Sequence, residues 1–222
     1  MQRSRRRPAA ILSESLQKNL NSYALAATAV GAGLLTAAQP ASAKIVYTPV
    51  HHVIGRNGHY RLNLNHDKVP DFSLVNAYEC NTDFCVDVLS ALPSGGNAVL
   101  GKHGFLGIPY AYALTKGDVI GPKQPFSGRF MASSDSGQGT IGRWLNVKNG
   151  YLGLRFVVKG KTHYGWARLT VKVYGGALIK TTVSGYAYET IANKPIVAGK
   201  TKGPDVITVQ PGSLGQLSRG RR

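Results

Sequence analysis

Beyond residue 44 the chain alternates apolar and polar side chains with a period of two. Turns rich in glycine, asparagine, serine or proline break that alternation at short intervals. No stretch of a dozen residues there carries a 3.6-residue period. Period two sends successive side chains to opposite faces of an extended strand, so such a chain buries its apolar half by packing sheets. Strands are expected at 44–50, 59–65, 71–79, 84–92, 97–101, 126–132, 151–158, 162–173 and 178–189, with turns at 55–58, 93–96, 135–137, 149–150 and 175–176. The segment 104–128 is the least regular and reads as long loops. The pattern predicts an all-β fold, an antiparallel, jelly-roll-like β-sandwich over residues 44–199.

The first 43 residues read differently. Arg3, Arg5, Arg6, Arg7 and Lys18 face a single acid, Glu14; an apolar run follows over 23–38, then Ala41-Ser42-Ala43. A basic start, a short apolar helix and an A-x-A site are the parts of a secretory signal, with cleavage expected after Ala43. The run is shorter than the roughly 20 residues a spanning helix needs, so no stable membrane insertion is expected after cleavage. The expected location is periplasmic or extracellular, in a bacterium. An oxidising compartment in turn predicts that Cys80 and Cys85, the only cysteines, form a disulfide across a tight turn.

Charge narrows the partners. Lys plus Arg number 27 against 10 Asp plus Glu, a net +17. Removing the five basic groups and one acid of residues 1–43 leaves 22 and 9, so the mature chain is still +13. With 43% hydrophobic and only 17% charged residues, the chain is not of disordered composition. The last segment, 200–222, is basic, rich in Gly, Ser and Pro, and reads as a flexible tail. Elsewhere the positive charges are spread and rarely interleaved with aromatics, so nucleic acid is not expected as a partner. An anionic polysaccharide or envelope polymer is the expected counter-surface of a monomeric protein.

One hairpin is readable in detail. A two-residue turn at Gly160-Lys161 would pair Leu152 with Leu169, Leu154 with Ala167 and Phe156 with Gly165 on one face, and set Arg155 beside Trp166 on the other. The second face, with Arg155, Tyr164, Trp166 and Arg168, is either a sugar-stacking ligand platform or a packing surface. The run GYLGLRFVVKGKTHYGWARLTV, followed by SGYAYET and KPIVAG, resembles exported bacterial β-proteins associated with the PEP-CTERM sorting system. The resemblance covers about residues 150–199 closely. It implies export and a β-fold but carries no established activity. The terminal sequence QPGSLGQLSRGRR lacks the family's sorting signal, which implies soluble release.

The candidate chemistry is sparse. Asn63, Asn65, Asp67 and Asp71, in LNLNHDKVPDF, resemble the calcium loops of EF-hand, dockerin and integrin type, with oxygens at alternate positions for one hard cation. Asn63 replaces the usual first Asp, and Lys68 stands where such loops carry glycine. The alternative is an Asx-rich turn whose side chains satisfy backbone amides. His51, His52, His59 and His66 crowd one region, but no zinc motif accompanies them. Nucleophile elbows, P-loops and dinucleotide fingerprints are absent. Glu79 and Glu189, each following Ala-Tyr, are the carboxylate pair a glycosidase would need; pairing with Lys or Arg is their structural alternative. The functional expectation is a non-catalytic surface, matrix or carbohydrate-binding module with calcium as possible cofactor. The alternatives are a secreted polysaccharide hydrolase and an inert envelope component.

Overall fold

A computed structural model describes residues 44–137 and 139–203. The segment expected to be a secretory signal, with the cleavage expected after Ala43, and residues 204–222 of the expected tail lie outside them. Fourteen strands follow one another: β1 (Ile45–Ile54), β2 (His59–Leu62), β3 (Phe72–Cys80), β4 (Cys85–Pro93), β5 (Ala98–Val99), β6 (Gly101–His103), β7 (Pro109–Ala111), β8 (Val119–Ile120), β9 (Phe130–Asp135), β10 (Gly139–Gly142), β11 (Gly150–Val158), β12 (Lys161–Tyr174), β13 (Leu178–Glu189) and β14 (Ile196–Val197). The only helical turn among the described residues is a 3-10 turn at Phe105–Gly107.

The strands form two main sheets, and their order confirms the all-β, sandwich-like architecture. One sheet runs β1-β13-β12-β11-β5; the other runs β2-β3-β4-β9-β7-β6, with β10 added beside β9. Leu74, Leu89 and Met131 of the second sheet pack against Leu154, Leu169 and Val183 of the first in one buried cluster. Burying a side chain of this size stabilises by about 1.5–3 kcal/mol. Gly165 lies in this interface because a Cβ there would stand 2.6 Å from both Leu64 Cδ2 and the Ala187 carbonyl oxygen. The hairpin of Cys80 and Cys85 closes as expected: the two are disulfide-bonded and form the last register pair of β3 and β4. Between them Asn81 Oδ1 accepts the N–H groups of Asp83 and Phe84, both at 2.9 Å.

Three expectations change. The β11–β12 turn is Lys159-Gly160, so Leu152 faces Ala167, Leu154 faces Gly165 and Phe156 faces His163. Lys159 (φ 49°) and Gly160 (φ 75°) both adopt left-handed conformations, a feature of turns whose twist matches the flanking strands. Each cross-strand partner moves by two residues, so the division into faces survives while the neighbours change. Next, 104–128 is not loop throughout; it supplies β7 and β8, and β7 joins β9 in parallel at Tyr110 and Phe130. Finally, the folded body runs past residue 199: the Lys200 N–H donates to the Val197 carbonyl at 3.0 Å.

The outer face of the five-stranded sheet is half covered. β8 and β14 pair into a two-stranded sheet that brings Ile120, Ile196 and Ala198 onto Tyr151, Tyr164 and Trp166 in a second buried cluster. Gly153, opposite Trp166, leaves the room Leu100 occupies; a Cβ there would come within 2.8 Å of Leu100 Cβ.

Candidate functional site

The four residues of the expected platform do not form a surface. Trp166 is 1% exposed and Tyr164 3%. Trp166 lies between the rings of Tyr47 (5.8 Å) and Tyr151 (5.2 Å), and its indole N–H donates to the Lys200 carbonyl at 3.3 Å. Tyr164 rests on Phe126 at 5.9 Å, and it is Phe126 that the Arg155 guanidinium covers, at 5.1 Å. The expected Arg155–Trp166 pairing is not formed, because in the observed register Arg155 opposes Tyr164 and Trp166 opposes Gly153. Arg168 donates through Nε to Ser184 Oγ at 2.8 Å. Aromatic packing, the structural alternative, accounts for this half of the sheet.

The Asx loop spends its oxygens on itself. Asp67 Oδ1 accepts the Val69 N–H at 2.8 Å, and Asp67 Oδ2 accepts Asn65 Nδ2 at 2.9 Å. These bonds, the one from Val69 foremost, hold the Asp67 carboxyl below the usual carboxylate range. Asp71 is buried, and its Oδ2 accepts the Leu64 N–H at 2.7 Å. Burial raises its carboxyl, partly offset by that hydrogen bond and reinforced by the charge of Asp67. His66 and Lys68 adopt left-handed conformations, φ 60° and 74°, and His66 Nε2 shares a 2.8 Å hydrogen bond with Thr48 Oγ1. The Asn63 Oδ1 is buried without a hydrogen-bond partner among the described residues. Such a donor set does not fit a preformed calcium cage, which needs several free oxygens converging on one point.

The remaining candidates scatter. Glu79 is exposed near the end of β3, one residue past Tyr78, which pairs with Asp87. Asp87 reaches the second residue of β13, accepting the Ile179 N–H at 2.7 Å. Glu189 ends β13 ten residues further on, roughly 33 Å at the rise of an extended strand. The two carboxylates thus sit toward opposite ends of the fold, far outside the 5–9.5 Å of a glycosidase pair. Glu189 is buried, takes the Ile191 N–H at 3.0 Å and pairs with Lys194 at 3.6 Å. His52 stacks on Tyr60 at 4.7 Å, and buried His163 donates through Nδ1 to the Glu189 carbonyl at 2.9 Å. No three His, Cys, Asp or Glu side chains converge to hold a metal among the described residues.

The uncovered half of the outer face holds a groove that the sequence reading missed. It has a volume of about 790 Å³ and lies between residues 146–149 and the adjoining stretches of β12 and β13. Its wall is fixed by Asn146 Oδ1, which accepts the Val173 N–H at 2.9 Å, and by the Asn149 N–H, which donates to Thr170 Oγ1 at 3.1 Å. Both asparagines have φ 55°, a left-handed conformation that Asn tolerates better than most side chains. Its floor is formed by Thr170, Lys172 and Tyr174 of β12 and by Thr182, the cross-strand partner of Thr170; Lys180, the partner of Lys172, lines an adjoining recess that shares these four residues. Lys148 and His51 flank it, and no acidic side chain is among its lining residues. It can offer the ammonium groups of Lys148 and Lys172, the Thr182 hydroxyl and the side-chain NH2 groups of Asn146 and Asn149, while the Thr170 and Ser184 hydroxyls are bonded within the protein. The 44%-exposed Tyr174 ring offers a stacking surface. Among the described residues no helix is long and apolar enough to cross a membrane. Comparison with protein-family models, curated proteins and solved structures finds no match to this chain.

Proposed function

We propose that the protein is an exported, non-catalytic binding module that holds an anionic polymer of the cell envelope or extracellular matrix. The observation that carries the reading is the groove between residues 146–149 and the β12–β13 ladder. It is basic, free of acidic side chains, and lined by Thr, Ser and Asn side chains beside Val147, Val171 and Val173. A long polyanion gains many weak contacts along such a surface, and its attraction to a strongly positive chain falls with salt. The disulfide supports an oxidising location. The test is retention of the full chain on immobilised polyanions, carboxylated, sulfated and phosphodiester-linked, against neutral dextran at low and moderate ionic strength. Salt-sensitive retention on at least one polyanion and none on dextran is the expected result; retention on none of them ends the reading.

A further inference from the structure

Lys172 and Lys180 are direct cross-strand partners on β12 and β13. Like charges placed opposite each other in a ladder destabilise it, and an anion bound over the pair would relieve that repulsion. Both lysines are exposed, both line one recess with Tyr174, Thr170, Thr182 and Val53, and no carboxylate is in that lining. Opposed residues in an antiparallel ladder have Cα atoms roughly 4.5–5.5 Å apart. Two flexible ammonium groups rooted that close can therefore each take one oxygen of a single carboxylate.

The surroundings select the carrier of that carboxylate. Thr170 and Thr182 lie two residues along the ladder from the lysines. The Thr182 hydroxyl and the Asn149 side-chain amide are on offer on that side, while the Thr170 and Ser184 hydroxyls bond to Asn149 and Arg168. On the other side stands the exposed ring of Tyr174. A sugar ring needs this set: hydrogen-bond partners for its hydroxyls and one aromatic surface for its C–H face. A single-stranded nucleic acid would call for a succession of rings on which bases stack, and the groove presents the Tyr174 ring with only the His51 imidazole at its flank.

We infer that Lys172 and Lys180 form a two-ammonium clamp for the carboxylate of a uronic-acid residue, making a polyuronate the polymer this groove takes. The inference rests on the proposed binding function and deepens it. Alginate, a polyuronate, is the probe, with dextran as neutral control and single-stranded DNA as the alternative polyanion. The doubly substituted Lys172→Gln/Lys180→Gln chain should bind alginate at least about tenfold more weakly. A Lys102→Gln/Arg143→Gln chain, altered at a separate basic cleft beside Tyr112, should bind as the unsubstituted protein does. Lys180→Glu, which turns the repulsive pair into an attractive one, should lose alginate binding and yet melt up to about 3 °C higher. That combination separates loss of the clamp from loss of the fold. Equal weakening by both double substitutions, or single-stranded DNA binding as tight as alginate binding with the same sensitivity to Lys172 and Lys180, would overturn the clamp and leave the broader polyanion reading standing. Failure of the unsubstituted chain to bind any polyanion would remove the broader reading itself.

Discussion

The outer face of the five-stranded sheet is one continuous surface made of two unlike halves. Along β12 the outward side chains run Tyr164, Trp166, Arg168, then Thr170, Lys172, Tyr174; on β13 Ala187 gives way to Ser184, Thr182 and Lys180. The change falls at the register shift between Arg168 and Leu169, where the cover provided by β8 and β14 ends. Under cover the face is aromatic and buried; beyond it the face is basic and open. Cover, not strand propensity, decides what an outward position holds. The same sheet thus has one half devoted to stability and one available for recognition.

Removing an anchor from the covered half should show the largest effect. Trp166 is nearly fully enclosed, and Trp166→Ala deletes its packing with Tyr47 and Tyr151 and leaves a cavity. The expected loss is about 3–5 kcal/mol, read by chemical denaturation, with alginate affinity unchanged at temperatures where the variant stays folded. Equal loss of affinity in the folded variant would mean that the two halves do not act separately.

How much of this was legible before the structure depends on the range of the contacts involved. The strands and the division of β11 and β12 into faces were readable because period two is a local property: Leu152, Leu154 and Phe156 do point into the core. The register was missed because a Gly-first turn was expected, whereas the chain turns on Lys159 in a left-handed conformation. The burial of Trp166 was out of reach because its cover comes from Val119–Ile120 and Ile196–Val197, two-residue strands joined only in the fold. Lys172 and Lys180 were closer to hand. They flank the 175–176 turn, and a correct loop length there would have set them opposite one another. Glu79 and Glu189 share an Ala-Tyr-Glu context that says nothing about distance, and they fall far apart along the sheets.

A medium effect is expected where the seven-stranded sheet grips β13. Asp87 takes the Ile179 N–H at 2.7 Å, while Asn76 Nδ2 donates to the Ile179 carbonyl at 2.8 Å. These bonds occupy backbone groups of β13 just beyond Thr181, the last residue paired with β1. Asp87 is fully buried, and Asp87 Oδ1 and Asn76 Oδ1 have no hydrogen-bond partner among the described residues. Burial raises the Asp87 carboxyl; the Ile179 and Asn76 hydrogen bonds and the charge of Arg56 only partly offset this. A carboxyl raised on folding contributes stability below its unfolded pKa, and that contribution is lost as pH rises through the folded value. Asp87→Ala should cost about 1–3 kcal/mol by orphaning the Ile179 N–H. Asp87→Asn keeps an acceptor and removes the charge. It should match the unsubstituted protein in acid and equal or exceed it at neutral pH, the gap widening between the two pKa values. A gap that widens toward acid instead would show that ionised Asp87 is favoured by the fold.

The smallest effect belongs to the Asx loop, set against the groove as a polar surface of the opposite kind. In the groove, the ammonium groups of Lys172 and Lys148 are left for a ligand; in the loop, Asp67 and Asp71 turn their oxygens to the neighbouring Asn65, Val69 and Leu64 N–H groups. If the loop bound calcium with the roughly 10⁻⁴–10⁻³ M affinity of extracellular modules, about 5 mM calcium would stabilise the fold by about 1–2 kcal/mol. That would raise the melting temperature by roughly 2–8 °C. Because Asp67 holds Val69 and Asn65 while Asp71 holds Leu64, a cation would have to displace those bonds before gaining its own. The expected shift is therefore below about 1 °C, read by thermal unfolding with 5 mM calcium against an equal concentration of magnesium. A calcium-specific rise of several degrees, abolished by Asp67→Asn, would show that the loop reopens for the ion and that its internal hydrogen bonds are the weaker partner.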